Sequence, residues 1–168
     1  MAVKPVILQI VGYQNSGKTT AAEKIIRALT EAGYKVGSFK HHGHGGKPDI
    51  PEKDSTRHLQ AGAVIAGVEG DGLFLFTARG LDDWLALYRH LHIDVVIIEG
   101  YKQKPYHKIV CVRSEEDKEL LNSLTNIQAV LSWIPVYEHE TVFSIQDEEA
   151  YLAWCVEYVR REMECMKS

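Results

Sequence analysis

Residues 12 to 19 read Gly-Tyr-Gln-Asn-Ser-Gly-Lys-Thr, a G-x-x-x-x-G-K-[ST] pattern, and its flanks constrain the fold more than its letters do. Before it, Val6 to Val11 is an apolar run broken only by Gln9, the pattern of a strand buried on both faces of a parallel sheet. After it, Ala22, Ile25, Ile26, Leu29 and Ala32 recur at helical spacing from Lys18 until Gly33 supplies a left-handed stop. Strand, glycine loop and helix in that order make a phosphate-binding loop: successive backbone N–H groups face an anion, and the positive end of the helix favours it. Gly12, Asn15, Ser16, Gly17, Lys18, Thr19 and Thr20 are therefore assigned to the phosphates of a purine nucleoside triphosphate. Lys18 is expected to bridge the β- and γ-phosphates, and the Thr19 hydroxyl to ligate magnesium.

The same periodicities carry through the chain. Lys35 to Phe39 reads as a second strand, followed by a Gly-, Pro- and His-rich loop and a short helical turn at Arg57 to Ala61. Val64 to Val68 and Leu73 to Phe76, joined by Glu69-Gly70-Asp71-Gly72, read as a β-hairpin of the kind found at a sheet edge. A helix over Leu81 to Leu91 leads to the clearest strand, Asp94 to Glu99. Ile109 to Val112, a short helix near Asp117 to Leu121, Ile127 to Leu131 and an amphipathic helix over Asp147 to Met163 continue the alternation. The expectation is one domain over residues 1–168, an α/β three-layer P-loop NTPase fold with a mostly parallel sheet and an added hairpin.

Composition excludes several classes. A net charge of -4, from 19 basic and 23 acidic residues, argues against nucleic acid as the main partner. Cys111, Cys155 and Cys165 form no CxxC pair, so reduced thiols in the cytoplasm are expected rather than a disulfide framework or a zinc knuckle. No run approaches the ~18 apolar residues of a membrane span, and the first residues lack a signal-peptide cleavage pattern.

A triphosphate with magnesium calls for a carboxylate at the end of a neighbouring buried strand, and Glu99, followed by Gly100, stands there. Asp54, in the loop after the second strand, is placed to approach the metal from the other side, with Asp49 and Glu52 as competitors. His41, His42 and His44, with Lys40 and Lys47, fit polar contacts to phosphates or an anionic partner better than a transition-metal site, because a glycine-rich loop holds such ligands poorly. Lys102, Lys104 and Lys108 would make a basic rim beyond Glu99. The hairpin is apolar on both strands, which points to pairing with a second copy of the chain.

Three blocks together, GYQNSGKTT, the stretch from Lys40 to Ala63, and DVVIIEGYKQKPYHKIVCVR from Asp94 to Arg113, resemble the MobB family of P-loop GTPases, the molybdopterin-guanine dinucleotide biosynthesis proteins B. The resemblance implies a homodimer that binds GTP and Mg2+ and assists the MobA guanylyltransferase in converting molybdopterin to its guanine dinucleotide form. It also implies weak hydrolysis, with Asn15 to Thr20 on the phosphates and Asp54 and Glu99 serving magnesium. No N-K-x-D tetrapeptide follows Ile127 to Leu131, so the residues themselves do not choose between guanine and adenine. No glutamine or arginine is visibly placed to orient an attacking water, which fits slow turnover, and no catalytic residue is assigned. Two rivals are a small-metabolite P-loop kinase, which would need an arginine-rich lid, and a GTPase metallochaperone, which would need a cysteine or histidine pair at a strand end.

Overall fold

The computed structural model describes residues 4–41, 57–58, 60–63, 65–71, 73–78 and 81–166, with backbone alone for 68, 69 and 73–78. Six strands form one sheet: β1 (Val6–Gly12), β2 (Val36–Lys40), β5 (Val95–Glu99), β6 (His107–Val112), β7 (Ile127–Ser132) and β8 (Val142–Ser144). Their order across the sheet is β2-β5-β1-β6-β7-β8, and every neighbouring pair is parallel. The two remaining strands, β3 (Ile65–Gly70) and β4 (Leu73–Ala78), pair antiparallel with each other.

The helices bounded within the described residues are α1 (Lys18–Glu31), α2 (Leu81–His90), α3 (Glu119–Ser123) and α4 (Glu148–Cys165), with a 3-10 turn at Glu116–Lys118 leading into α3; Arg57, His58 and Gln60 are helical too. They make three layers because β1 is apolar on both faces. Val6, Leu8 and Ile10 bury against Ala22, Ile25 and Leu29 of α1 and Tyr151, Cys155 and Val159 of α4. On the opposite face Ile7 joins Leu81, Leu85, Val96 and Ile98, while Val11 joins Val110, Val130 and Leu120. Gln9, fully buried, separates these two clusters. A fully buried aliphatic such as Leu8 contributes about 1.5–3 kcal/mol, so the α1 and α4 face carries much of the fold's stability.

Helix ends follow the local chemistry. Gly33 has φ +91, and the Tyr34 N–H reaches back to the Leu29 carbonyl at 3.1 Å, so α1 stops in a Schellman-type turn. Asp147 caps α4, its carboxylate accepting from the Ala150 N–H at 3.3 Å. Among the described residues no helix is long and apolar enough to cross a membrane.

Two expectations are corrected here. Among the described residues the hairpin is not an edge of the main sheet; β3 and β4 form a sheet of their own, paired as far as Gly70 with Leu73, and Asp71 takes φ 54. Val142–Ser144 is a strand that the sequence reading passed over, because three residues between polar stretches carry too short a period to register.

Candidate functional site

In a parallel sheet, ligands collect at the carboxyl ends of the strands where the connections diverge to either side. Here β1 lies between β5 and β6, and the chain leaves β1 toward β2 on one side but leaves β5 toward β6 on the other. The loop after β1 and the end of β5 face each other across that divide. Gly12, Tyr13, Gln14, Asn15, Lys18 and Thr19 form one wall of a cavity of about 930 Å3, and Lys40, His41 and Glu99 to Lys104 form the other.

The first wall depends on backbone conformations that few residues tolerate. A Cβ on Gly12 would lie 2.5 Å from the Ser16 hydroxyl and 2.8 Å from the Cys111 carbonyl, so only glycine lets the loop settle back onto β6. Gly17, the cap of α1, has φ +94, and Asn15 takes φ 62. Gly17 offers no side chain to cap α1 and no acidic residue sits in its first turn, so among the described residues the helix itself supplies nothing to neutralise its positive end. Among the described residues the buried Ser16 hydroxyl has no hydrogen-bond partner, and the Lys18 ammonium donates to the Tyr13 carbonyl inside the loop. Burial pulls the Lys18 pKa below the ordinary lysine value, opposed by the negative charge of Glu99. Directly beneath, burial pushes the Cys111 thiol up to about 12, so it packs as a neutral group.

The second wall is held by long-range contacts. Register places Ile10 beside Glu99, and the Thr19 hydroxyl donates to the Glu99 carboxylate at 2.9 Å. The Lys40 ammonium lies 3.2 Å from both the Thr19 oxygen and the same carboxylate oxygen. The Lys40 cation thus sits against the same hydroxyl and carboxylate that are expected to hold magnesium. Together with the uncapped helix end and the orphaned Ser16 hydroxyl, that donor set fits a magnesium triphosphate. Magnesium usually takes one or two protein oxygens and completes its shell from phosphates and water. Glu99 is followed by a sharp turn, Gly100 and Tyr101 both having positive φ, and the Gln9 amide donates to their carbonyls at 2.9 and 2.8 Å. Tyr101 in turn stacks on His41, with centroids 3.9 Å apart.

Of the residues assigned from sequence, Gly12, Asn15, Lys18, Thr19 and Glu99 come together on the cavity, with Ser16 and Gly17 in the turn behind it, while Thr20 stands exposed in the first turn of α1. Asp54, Asp49, Glu52, His42, His44 and Lys47 lie outside the described residues. Among the described residues no group of three or more His, Cys, Asp or Glu is gathered as a metal site. One rim residue is corrected: Lys102 and Lys104 line the cavity, but Lys108 is fully buried, donating to the Lys104 and Tyr106 carbonyls. Burial lowers its pKa, and it serves as a strut for the rim. Residues missed in the sequence include Gln9, Arg113 and Trp133, whose roles depend on strand order, and Gln14 and Gln103, which line the cavity.

The family described as "Molybdopterin guanine dinucleotide synthesis protein B" matches residues 7–133. The chain belongs to the MobB family. It is 44% identical over 130 residues to the "Probable molybdopterin-guanine dinucleotide biosynthesis adapter protein" of Bacillus subtilis, covering 74% of this chain and 75% of that protein. The Haemophilus influenzae "Molybdopterin-guanine dinucleotide biosynthesis adapter protein" is 33% identical over 144 residues, 83% of this chain and 81% of its own length. Among solved structures, a MobB protein homolog from Bacillus stearothermophilus superposes with a TM-score of 0.73 at 42% identity, covering 92% of this chain and 98% of the other. The strand order and the P-loop of this MobB-family chain therefore sit in a fold already seen in its relatives.

Proposed function

We propose that this chain is a GTP- and magnesium-binding adapter in molybdenum cofactor maturation, working in the cytoplasm beside a MobA-type guanylyltransferase as molybdopterin gains its guanine nucleotide. The observation that carries the nucleotide reading is the meeting of Lys18, Thr19 and Glu99 at one end of the cavity, beside an uncapped helix terminus. The pathway comes from what the relatives are called. In this reading the amides of residues 15–19 and Lys18 bind the phosphates, and Thr19 and Glu99, joined by Asp54, hold the metal. The bound ion would neutralise phosphate charge. Slow hydrolysis follows, and the nucleotide reports occupancy to a partner.

A homodimer belongs to the same proposal. An isolated two-stranded sheet is marginal in water, and among the described residues β3–β4 hydrogen-bonds to no strand of the main sheet, so a second copy is the natural occupant of its edges. Calorimetric titration with GTP and with ATP, followed by measuring MobA-catalysed dinucleotide formation with and without the chain, tests the proposal. GTP binding and a faster MobA reaction are expected. Tight ATP binding with no GTP binding, or a MobA rate indifferent to the chain, would sink it.

A further inference from the structure

We infer that Arg113 and Trp133 are positioning residues for the phosphate-binding loop, gripping its outward carbonyls from the ends of two other strands so that its amides stay aimed at the anion. The inference rests on the P-loop reading above. The Arg113 guanidinium donates to the Asn15 carbonyl at 2.8 Å, and the Trp133 indole N–H donates to the Ser16 carbonyl at 3.2 Å. Both sit just beyond the strands that continue the sheet from β1: Arg113 after β6 and Trp133 after β7.

Peptide planarity turns these two contacts into control of the amides. Across a trans peptide, the carbonyl of one residue and the N–H of the next point in opposite directions. Holding the Asn15 carbonyl toward Arg113 therefore aims the Ser16 N–H inward. Holding the Ser16 carbonyl toward Trp133 does the same for the Gly17 N–H. The first of these is visible, since the Ser16 N–H points at the Tyr13 carbonyl, at a loose 3.4 Å, the same oxygen that takes the Lys18 ammonium. The loop interior thus gathers donors around the Tyr13 carbonyl, while the Asn15 and Ser16 carbonyls are tied down outside. The geometry needs such restraint because Asn15, a non-glycine, is held at φ 62.

Each gripping residue is itself fixed. The Arg113 N–H donates at 2.7 Å to the carboxylate of the buried Asp117, which also takes the Ser114 N–H at 3.3 Å. The Trp133 N–H donates to the Val112 carbonyl at 3.0 Å, and the neighbouring Ser132 hydroxyl ties residues 112 and 134. The indole ring is half exposed, so its hydrogen bond and not its burial accounts for its place.

The test compares inorganic tripolyphosphate with GTP, because a residue that aims the loop affects both, whereas one that touches the nucleoside affects GTP alone. Trp133→Phe and Arg113→Met are each expected to weaken both ligands by the same factor, about fivefold, with the melting temperature of the ligand-free chain unchanged. Arg113→Gln keeps a donor but no charge and is expected to restore most of the loss. Unchanged tripolyphosphate affinity, a loss confined to GTP, or an Arg113→Gln variant as weak as Arg113→Met would each overturn the inference. Wild-type chain that binds neither ligand would instead refute the P-loop reading beneath it.

Discussion

The two walls of the cavity are built by different means. The loop from Gly12 to Thr19 takes its turn locally, from Gly12, Gly17 and the start of α1, and Arg113 and Trp133 only steady two of its carbonyls from outside. The wall from Glu99 to Lys104 has no such local code. Its place is set by the pairing of β1 with β5, and its shape by Gln9 and Lys108, which reach it from within the sheet. A locally coded turn keeps its course and loses only aim when distant contacts are removed, whereas a wall coded by register loses its shape when a distant polar group is removed.

The largest expected effect breaks the first wall chemically while leaving it folded. Lys18→Ala should cost about a hundredfold or more in triphosphate affinity, because a charge-assisted contact to phosphate is lost, with no fall in melting temperature. Calorimetry paired with a thermal melt checks both halves, and retained affinity would remove Lys18 from the site.

Gln9→Leu breaks the second wall from a distance. Leaving the Gly100 and Tyr101 carbonyls without their donor should cost about 1–3 kcal/mol in a urea melt. Magnesium-free tripolyphosphate binding should survive, while the gain on adding magnesium shrinks as Glu99 loses its anchor. Equal damage to both kinds of binding would mean that the walls are not separable.

Gly17→Ala sharpens the local side. A side chain at φ +94 should cost about 1–2 kcal/mol, and its Cβ would meet Ile145 at 2.8 Å. Adding Ile145→Ala should recover the contact part alone, read as a coupling energy in a double-mutant cycle. Strict additivity would show that the Ile145 contact adds no cost to the substitution.

This division also explains what the sequence made legible. The loop, α1 with its Gly33 stop, and β5 ending in Glu-Gly could be read because their signals lie within a few residues of one another. Gln9 read only as a flaw in an apolar run, since its purpose depends on its register beside Ile98. Lys108 looked like a rim lysine because nothing local says that its side chain turns inward under Lys104. Arg113 and Trp133 are 98 and 117 residues from the carbonyls they hold, a proximity that only the strand order creates. The family resemblance supplied roles for Asp54 and Glu99 together, yet only Glu99 falls among the described residues.

The most direct test of the site is a titration of a non-hydrolysable GTP analogue, with magnesium and with the metal chelated, into the wild-type chain and Glu99→Gln. The wild type should bind about tenfold or more tightly with magnesium, and Glu99→Gln should lose that gain while keeping its metal-free affinity. A magnesium gain that persists undiminished in Glu99→Gln would contradict a metal site shared by Thr19 and Glu99.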